Sequence, residues 1–211
     1  MALALDTGTN GGNNGGGTSH TYSHTCTGSD LILFVGVGTN SSSDLISGVT
    51  YNTVAMILVD KQQGTSTNYS YLYYLITPAT GAHDVVVSAS STCTIYSGAV
   101  SYTGAKQSGQ PDSTNKGTET GATFTLSTTV VASNCWLIST ITDFDGAGAG
   151  TGTTIRADAA GNVTGDSNGV VGTGSQSMAW NVPTTSNPTS GVIASIAPAP
   201  PAEGGYIFIS V

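Results

Sequence analysis

The feature that most limits what this chain can fold into is its succession of short β-branched and aromatic runs, each closed by turn residues. The runs include "DLILFVGV" (30–37), "GVTYNTVAMILVD" (48–60), "NYSYLYYLIT" (68–77), "HDVVVSAS" (83–90), "CTIYSGAVSYTG" (93–104), "GATFTLSTTVV" (121–131), "CWLISTITDF" (135–144), "SGVIASIAP" (190–198) and "GYIFISV" (205–211). Between them stand breakers such as "TPATGAH", "KQSGQPDSTN", "DFDGAGAGTG" and "APAPPAEGG". Runs of this length, bounded in this way, read as strands. No window shows the 3.6-residue periodicity with caps that marks a helix. About a dozen short strands with negligible helix predict an all-β fold, most simply a single antiparallel β-sandwich.

Individual runs carry further expectations. "DLILFVGV" is continuously apolar, as in a strand covered on both faces. Residues 48–60 read as two short strands around a turn at Asn52–Thr53. The C-terminal "YIFISV" reads as a strand paired inside a sheet. By contrast, "TGTNGGNNGGGTS" (7–19) offers six glycines and no large side chain, and reads as a flexible arm behind a short strand at "ALAL". The domain expectation is therefore an arm over 1–19 and one sandwich over 20–211. Residues 105–120 are the best candidate for a break and read as a long loop between the halves of that one sandwich, and no internal repeat stands out.

Composition excludes several function classes. Only 8% of residues are charged, against roughly 25% in an average domain. Ser and Thr supply 59 residues and Gly 29, so hydroxyls and bare backbone make the surface. Four cations against twelve acids give a net charge of -8. Nucleic-acid binding needs several basic contacts, and an anionic membrane needs a basic cluster; neither partner is expected. "MALALDTGTNGG" has no basic n-region, and no run approaches a spanning helix. Synthesis in a cytoplasm, with any exit by lysis, is the expectation.

Residues that could carry chemistry are few. Cys26, Cys93 and Cys135 fit no zinc spacing and read as small buried hydrophobes, with one disulfide plus a free thiol as the alternative. His20 and His24 share a strand face and could join Asp30 or Asp84 on a metal, but read better as exposed polar residues of an edge strand; His83 completes the set of histidines. "DFDGAGAGTG" (143–152) begins like a calcium loop, yet Ala147 and Thr154 occupy positions that need acidic or Asx ligands. It reads as a surface turn capped by Asp143. Asp60, Asp84, Asp143 and Asp145 form no recognisable glycosidase pair. "GTGSQS" lacks the last glycine of a nucleophile elbow, and "GAGAGTG" lacks the lysine of a phosphate loop. Tyr69, Tyr71 and Tyr73 share one face and could stack on a sugar, or pack against a partner sheet, the preferred reading. Trp136 and Trp180 both lie in apolar strand patterns. No catalytic, cofactor-binding or metal residue is assigned, and no cofactor or enzymatic activity is expected.

Over residues 20–112 the pieces "HTCTGSDLILFVGV", "ISGVTYNTVAM", "LYYLITPATGAHDVVVSAS" and "GAVSYTGAKQSGQP" resemble a family of phage virion structural proteins and related bacterial sequences. Thr53 stands where that pattern usually has glycine after asparagine. The resemblance implies a jelly-roll-like sandwich in a virion. A capsid decoration or head-fibre protein is the leading form, with the major capsid protein as partner and a trimer as assembly. A tail-associated module that binds a receptor or a surface glycan is the alternative.

Overall fold

Turn chemistry divides the chain largely where its breakers stand. The computed structural model describes residues 2–64, 67–183 and 189–201. Among them it has 17 strands and no helix, and every strand pairing is antiparallel. The all-β expectation holds. The first nine strands are β1 (Ala4–Asn13), β2 (Gly17–Cys26), β3 (Ile32–Thr39), β4 (Ile46–Tyr51), β5 (Val54–Ala55), β6 (Ile57–Gln63), β7 (Tyr69–Ile76), β8 (Gly81–Cys93) and β9 (Ile95–Thr103). The other eight are β10 (Ser113–Glu119), β11 (Thr123–Val130), β12 (Trp136–Thr142), β13 (Gly148–Ala149), β14 (Thr154–Asp158), β15 (Asn162–Asp166), β16 (Gly174–Asn181) and β17 (Thr189–Ile196).

These strands make four sheets, not the two of a single sandwich. The order is β1-β9-β3-β7-β6 and β2-β8-β4-β5 in the N-terminal unit, then β10-β17-β12-β15-β14 and β11-β16-β13 in the C-terminal unit. Substituting β10 for β1, β11 for β2 and so on maps one unit onto the other, with only β5 unmatched. The same architecture occurs twice. The segment expected to be a loop within one sandwich, 105–120, holds the junction and then β10.

The apolar patterning explains why two units stay together. On β3, Leu33, Val35 and Val37 face the β2-β8-β4-β5 sheet in one core, with Tyr51, Val85 and Val87. Ile32 and Phe34 face the other way, into a second core with Ile138, Val192, Ala194 and Ile196 of the C-terminal unit. A third core holds Phe124, Leu126, Leu137, Met178 and Trp180 inside the C-terminal unit. Four layers thus enclose three cores. A lone sandwich leaves one face of each sheet to water, whereas a strand apolar on both faces must be covered twice. All eight residues of β3, and all eight of β17, are buried.

The two inner sheets meet around a pseudo-two-fold axis. β1 lies on β14 and β10 on β6; β7 lies on β17 and β15 on β9; β3 lies on β12. This reciprocity is that of an isologous dimer interface. Gly36 meets Thr140, its counterpart by register, and Gly38 meets Thr142. The axis therefore runs roughly along β3 and β12, so like ends of the two units point the same way. One end carries Leu3, the link from Gly104 to Asp112, and Pro198–Pro201. The other carries the turns at 14–16, 40–45, 120–122 and 143–147.

The glycine-rich N-terminus departs from expectation. Residues 7–13 belong to β1, on the edge of an inner sheet, and residues 17–19 begin β2. Glycine is required there by close approach rather than by looseness. A Cβ on Gly8 would stand 2.4 Å from the Arg156 carbonyl oxygen, and one on Gly11 would stand 2.6 Å from that of Ser97. Asn14 ties the turn down, accepting the Ile95 N–H at 3.0 Å through its side chain. The strand expected at 205–211 lies outside the described residues.

Candidate functional site

The polar side chains gather in three places. The first is a clasp at the end carrying the inter-unit link. Asp6 accepts the Thr27 N–H at 2.9 Å, the Thr27 hydroxyl, and the Ser101 hydroxyl at 2.7 Å. Asp112 accepts the Val131 N–H at 2.8 Å, the Ala132 N–H at 3.1 Å and the Ser195 hydroxyl at 3.2 Å. Ser101 and Ser195 hold the same register position on β9 and β17, and each aspartate directly precedes the residue paired with its serine. The two units thus repeat the same clasp.

In the N-terminal unit the clasp extends to a histidine. The His24 Nε2 lies 3.1 Å from the Ser101 hydroxyl, and its Nδ1 lies 2.7 Å from the Thr9 hydroxyl. With Ser101 donating to Asp6, these contacts are satisfied when Nε2 carries the hydrogen and Nδ1 accepts from Thr9. A nucleophilic serine gives its hydrogen to histidine, whose other nitrogen is held by the acid. Here the order is acid, serine, histidine, and Ser101 and His24 are both buried. Burial pushes His24 down to about 4 and holds His20 below its usual value. The histidines of the edge strand β2 therefore face inward, not outward as expected. His83 sits opposite His24 in register and makes a ring contact with Tyr51. No group of three or more His, Cys, Asp or Glu side chains is placed to hold a metal among the described residues.

The second place is the interface between units. Asp166, wholly buried, accepts from Arg156 Nε at 2.9 Å, from the Tyr102 hydroxyl at 2.9 Å and from the Asn168 N–H at 2.9 Å. Toward the far end the interface changes from apolar to hydroxylic. The Ser70 hydroxyl lies 2.6 Å from that of Thr142, while Asn162 donates to the Thr140 hydroxyl at 3.0 Å and the Ile141 carbonyl at 3.0 Å. Three of the chain's four cations are in ion pairs: Lys61 with Asp44, Lys116 with Asp60, and Arg156 with Asp166.

The third place is the loop at Asp143. Asp143 is buried, and its oxygens accept the Asp145 N–H at 2.8 Å and the Thr189 hydroxyl at 2.8 Å. It is a turn cap, as read from the sequence. Phe144 and Gly146 border a shallow hollow there, and β13 occupies Gly148–Ala149.

The other expected residues fall as follows. Cys26, Cys93 and Cys135 are free and buried. Burial raises all three thiols, and the Asp112 carboxylate helps to push Cys135 to about 12. Tyr71 and Tyr73 point into the N-terminal core, and Tyr69 stacks on Tyr71 with ring centroids 5.6 Å apart. That removes the tyrosine face as a sugar platform. Trp180 is buried, with its indole N–H on the Ser139 hydroxyl at 3.2 Å. Sequence reasoning missed the clasp, although the pairs Ser29-Asp30 with Ser133-Asn134, and Thr80-Gly81 with Thr173-Gly174, mark the same turns in both units. No protein-family model, curated protein or solved structure matches the chain.

Proposed function

We propose that the protein is a non-enzymatic structural component of a phage particle, exposed on its surface as a capsid decoration or head-fibre protein. One observation carries this reading: the two units are fused so that their like ends point the same way, giving a rigid block with two distinct ends. One end holds the inter-unit link. The other presents small neutral turns such as Asn13–Gly16 and Thr120–Ala122. Such turns contact other surfaces with little loss of charge hydration. The polar groups of the interior support the reading, because Asp6, Asp112, Asp143 and Asp166 are all engaged in holding turns and strands. The order β1-β9-β3-β7 over β2-β8-β4-β5 supports a jelly roll of two interlocked Greek keys in the first unit.

In this role the linked end binds the major capsid protein, the turn-bearing end faces outward, and a trimer is the assembly. Sedimentation of purified protein with capsids of its own phage tests this. The expected result is co-sedimentation, with stripped particles melting earlier. Glycan binding without capsid association would overturn it and favour a receptor-binding module. Light scattering that finds monomer at every concentration would remove the trimer.

A further inference from the structure

Three asparagines precede a glycine in this chain: Asn10, Asn14 and Asn168. In such a pair the backbone nitrogen of the glycine can attack the side-chain amide carbon of the asparagine, because glycine has no Cβ to block the approach. The fold treats the three pairs differently. Asn14 is held at both ends of its amide. Its Oδ1 accepts the Ile95 and Gly16 N–H groups, each at 3.0 Å, and its Nδ2 donates to the Ser19 carbonyl at 3.2 Å. The Gly15 N–H is taken by Asn13 Oδ1 at 2.9 Å. Asn10 lies inside β1, where a Cβ on Gly11 would stand 2.6 Å from both the Ser97 carbonyl oxygen and the Tyr22 ring.

Asn168 lies between β15 and β16, is exposed, and has a φ of 51°. Two contacts hold it. Its own N–H donates to Asp166 Oδ1 at 2.9 Å, and its side-chain oxygen accepts from a terminal nitrogen of Arg156 at 2.5 Å. Arg156 is fixed in turn by the wholly buried Asp166, at 2.9 Å. A cation on the amide oxygen draws electron density from Cγ and stabilises the negative charge that grows on that oxygen during attack. The attacking group is the Gly169 N–H and the leaving group is the Asn168 amide nitrogen. Neither makes a hydrogen bond among the described residues. The electrophile is thus held and polarised, while nucleophile and leaving group stay free.

We propose that Asn168 is a self-modification site, at which the folded chain loses ammonia. The Gly169 nitrogen bonds to Asn168 Cγ, the Cγ–Nδ2 bond breaks, and the Gly169 proton leaves with the amide nitrogen through solvent. Water then opens the five-membered imide at either carbonyl, giving aspartate or isoaspartate. No oxidant or reductant takes part, and the net charge of -8 becomes one unit more negative. The aspartate form sets a second carboxylate on Arg156 beside Asp166. The isoaspartate form adds one carbon to the backbone that leads to Val171 and its bridge to Cys135. The test holds folded and urea-unfolded protein at mildly alkaline pH and follows each asparagine by peptide mapping with mass spectrometry. In the folded chain Asn168 should convert faster than Asn10 and Asn14 by roughly tenfold or more, and in urea the three rates should converge. Conversion of Asn10 or Asn14 as fast as Asn168 in the folded chain overturns the proposal, and so does an Asn168 that persists when folded but converts in urea. Rates in urea that keep the folded order would assign the preference to local sequence, and likewise overturn it.

Discussion

His24 and Thr128 occupy the same position in the two units, on the edge strands β2 and β11 of the outer sheets, and both reach a serine hydroxyl. Only the histidine titrates. Its ordinary value of 6.5 is lowered to about 4 by burial, so the unfolded chain takes up the proton first as pH falls. The stability tied to a neutral ring is complete above about pH 6.5 and is lost as pH falls to about 4, about 3 kcal/mol in all. Urea midpoints at pH 7, 5.5 and 4.5 should fall through this window, and His24→Gln should flatten the fall; an unchanged slope in the variant would refute the assignment. A second prediction concerns Thr53. Asn52 and Thr53 have φ of 47° and 66°, the left-handed pair that a two-residue type I′ hairpin turn needs. Threonine is poorly suited to that region. Thr53→Gly should stabilise by about 1 kcal/mol, read as a higher urea midpoint at unchanged slope.

At the level of elements, β3 was legible and β1 was not. The run "DLILFVGV" announces burial on both faces, because neither parity of its positions is polar. "TGTNGGNNGG" gives no such sign: its pairing to β9 uses backbone, and its glycines answer to neighbours far along the chain, such as Arg156. The repeat escaped notice for a related reason. Residues 19–26, "SHTYSHTC", and 123–130, "TFTLSTTV", share Thr21/Thr125, Ser23/Ser127 and Thr25/Thr129, but these point outward. The inward positions diverged, pairing His20 with Phe124, Tyr22 with Leu126 and Cys26 with Val130. The polar clasps were illegible because Asp6 and Ser101 are 95 residues apart. The inner sheets also fix a prediction. A Cβ on Gly36 would stand 2.1 Å from the Thr164 hydroxyl and 2.4 Å from that of Thr140. Gly36→Val should therefore cost about 3 kcal/mol, measured by chemical unfolding.

For the whole molecule, the shared middle core makes unfolding of either unit expose the other. A single calorimetric transition is expected, with equal calorimetric and van't Hoff enthalpies. Gly36→Val, which pushes the inner sheets apart, should split it in two; a single sharp transition in that variant would count against coupling through this interface. Arg156→Met should cost about 3–5 kcal/mol, because it leaves the buried Asp166 carboxylate without its cation. The pseudo-axis has a consequence for how such a molecule can change. In a true homodimer each substitution on the axis arrives twice, and a residue there must suit its own image: glycine against glycine leaves a gap, threonine against threonine collides. Joined in one chain, Gly36 can be the hollow and Thr140 the peg that fills it. Each unit is then free to adapt to the other rather than to itself, so two copies of one architecture can drift apart in sequence while fitting together more closely.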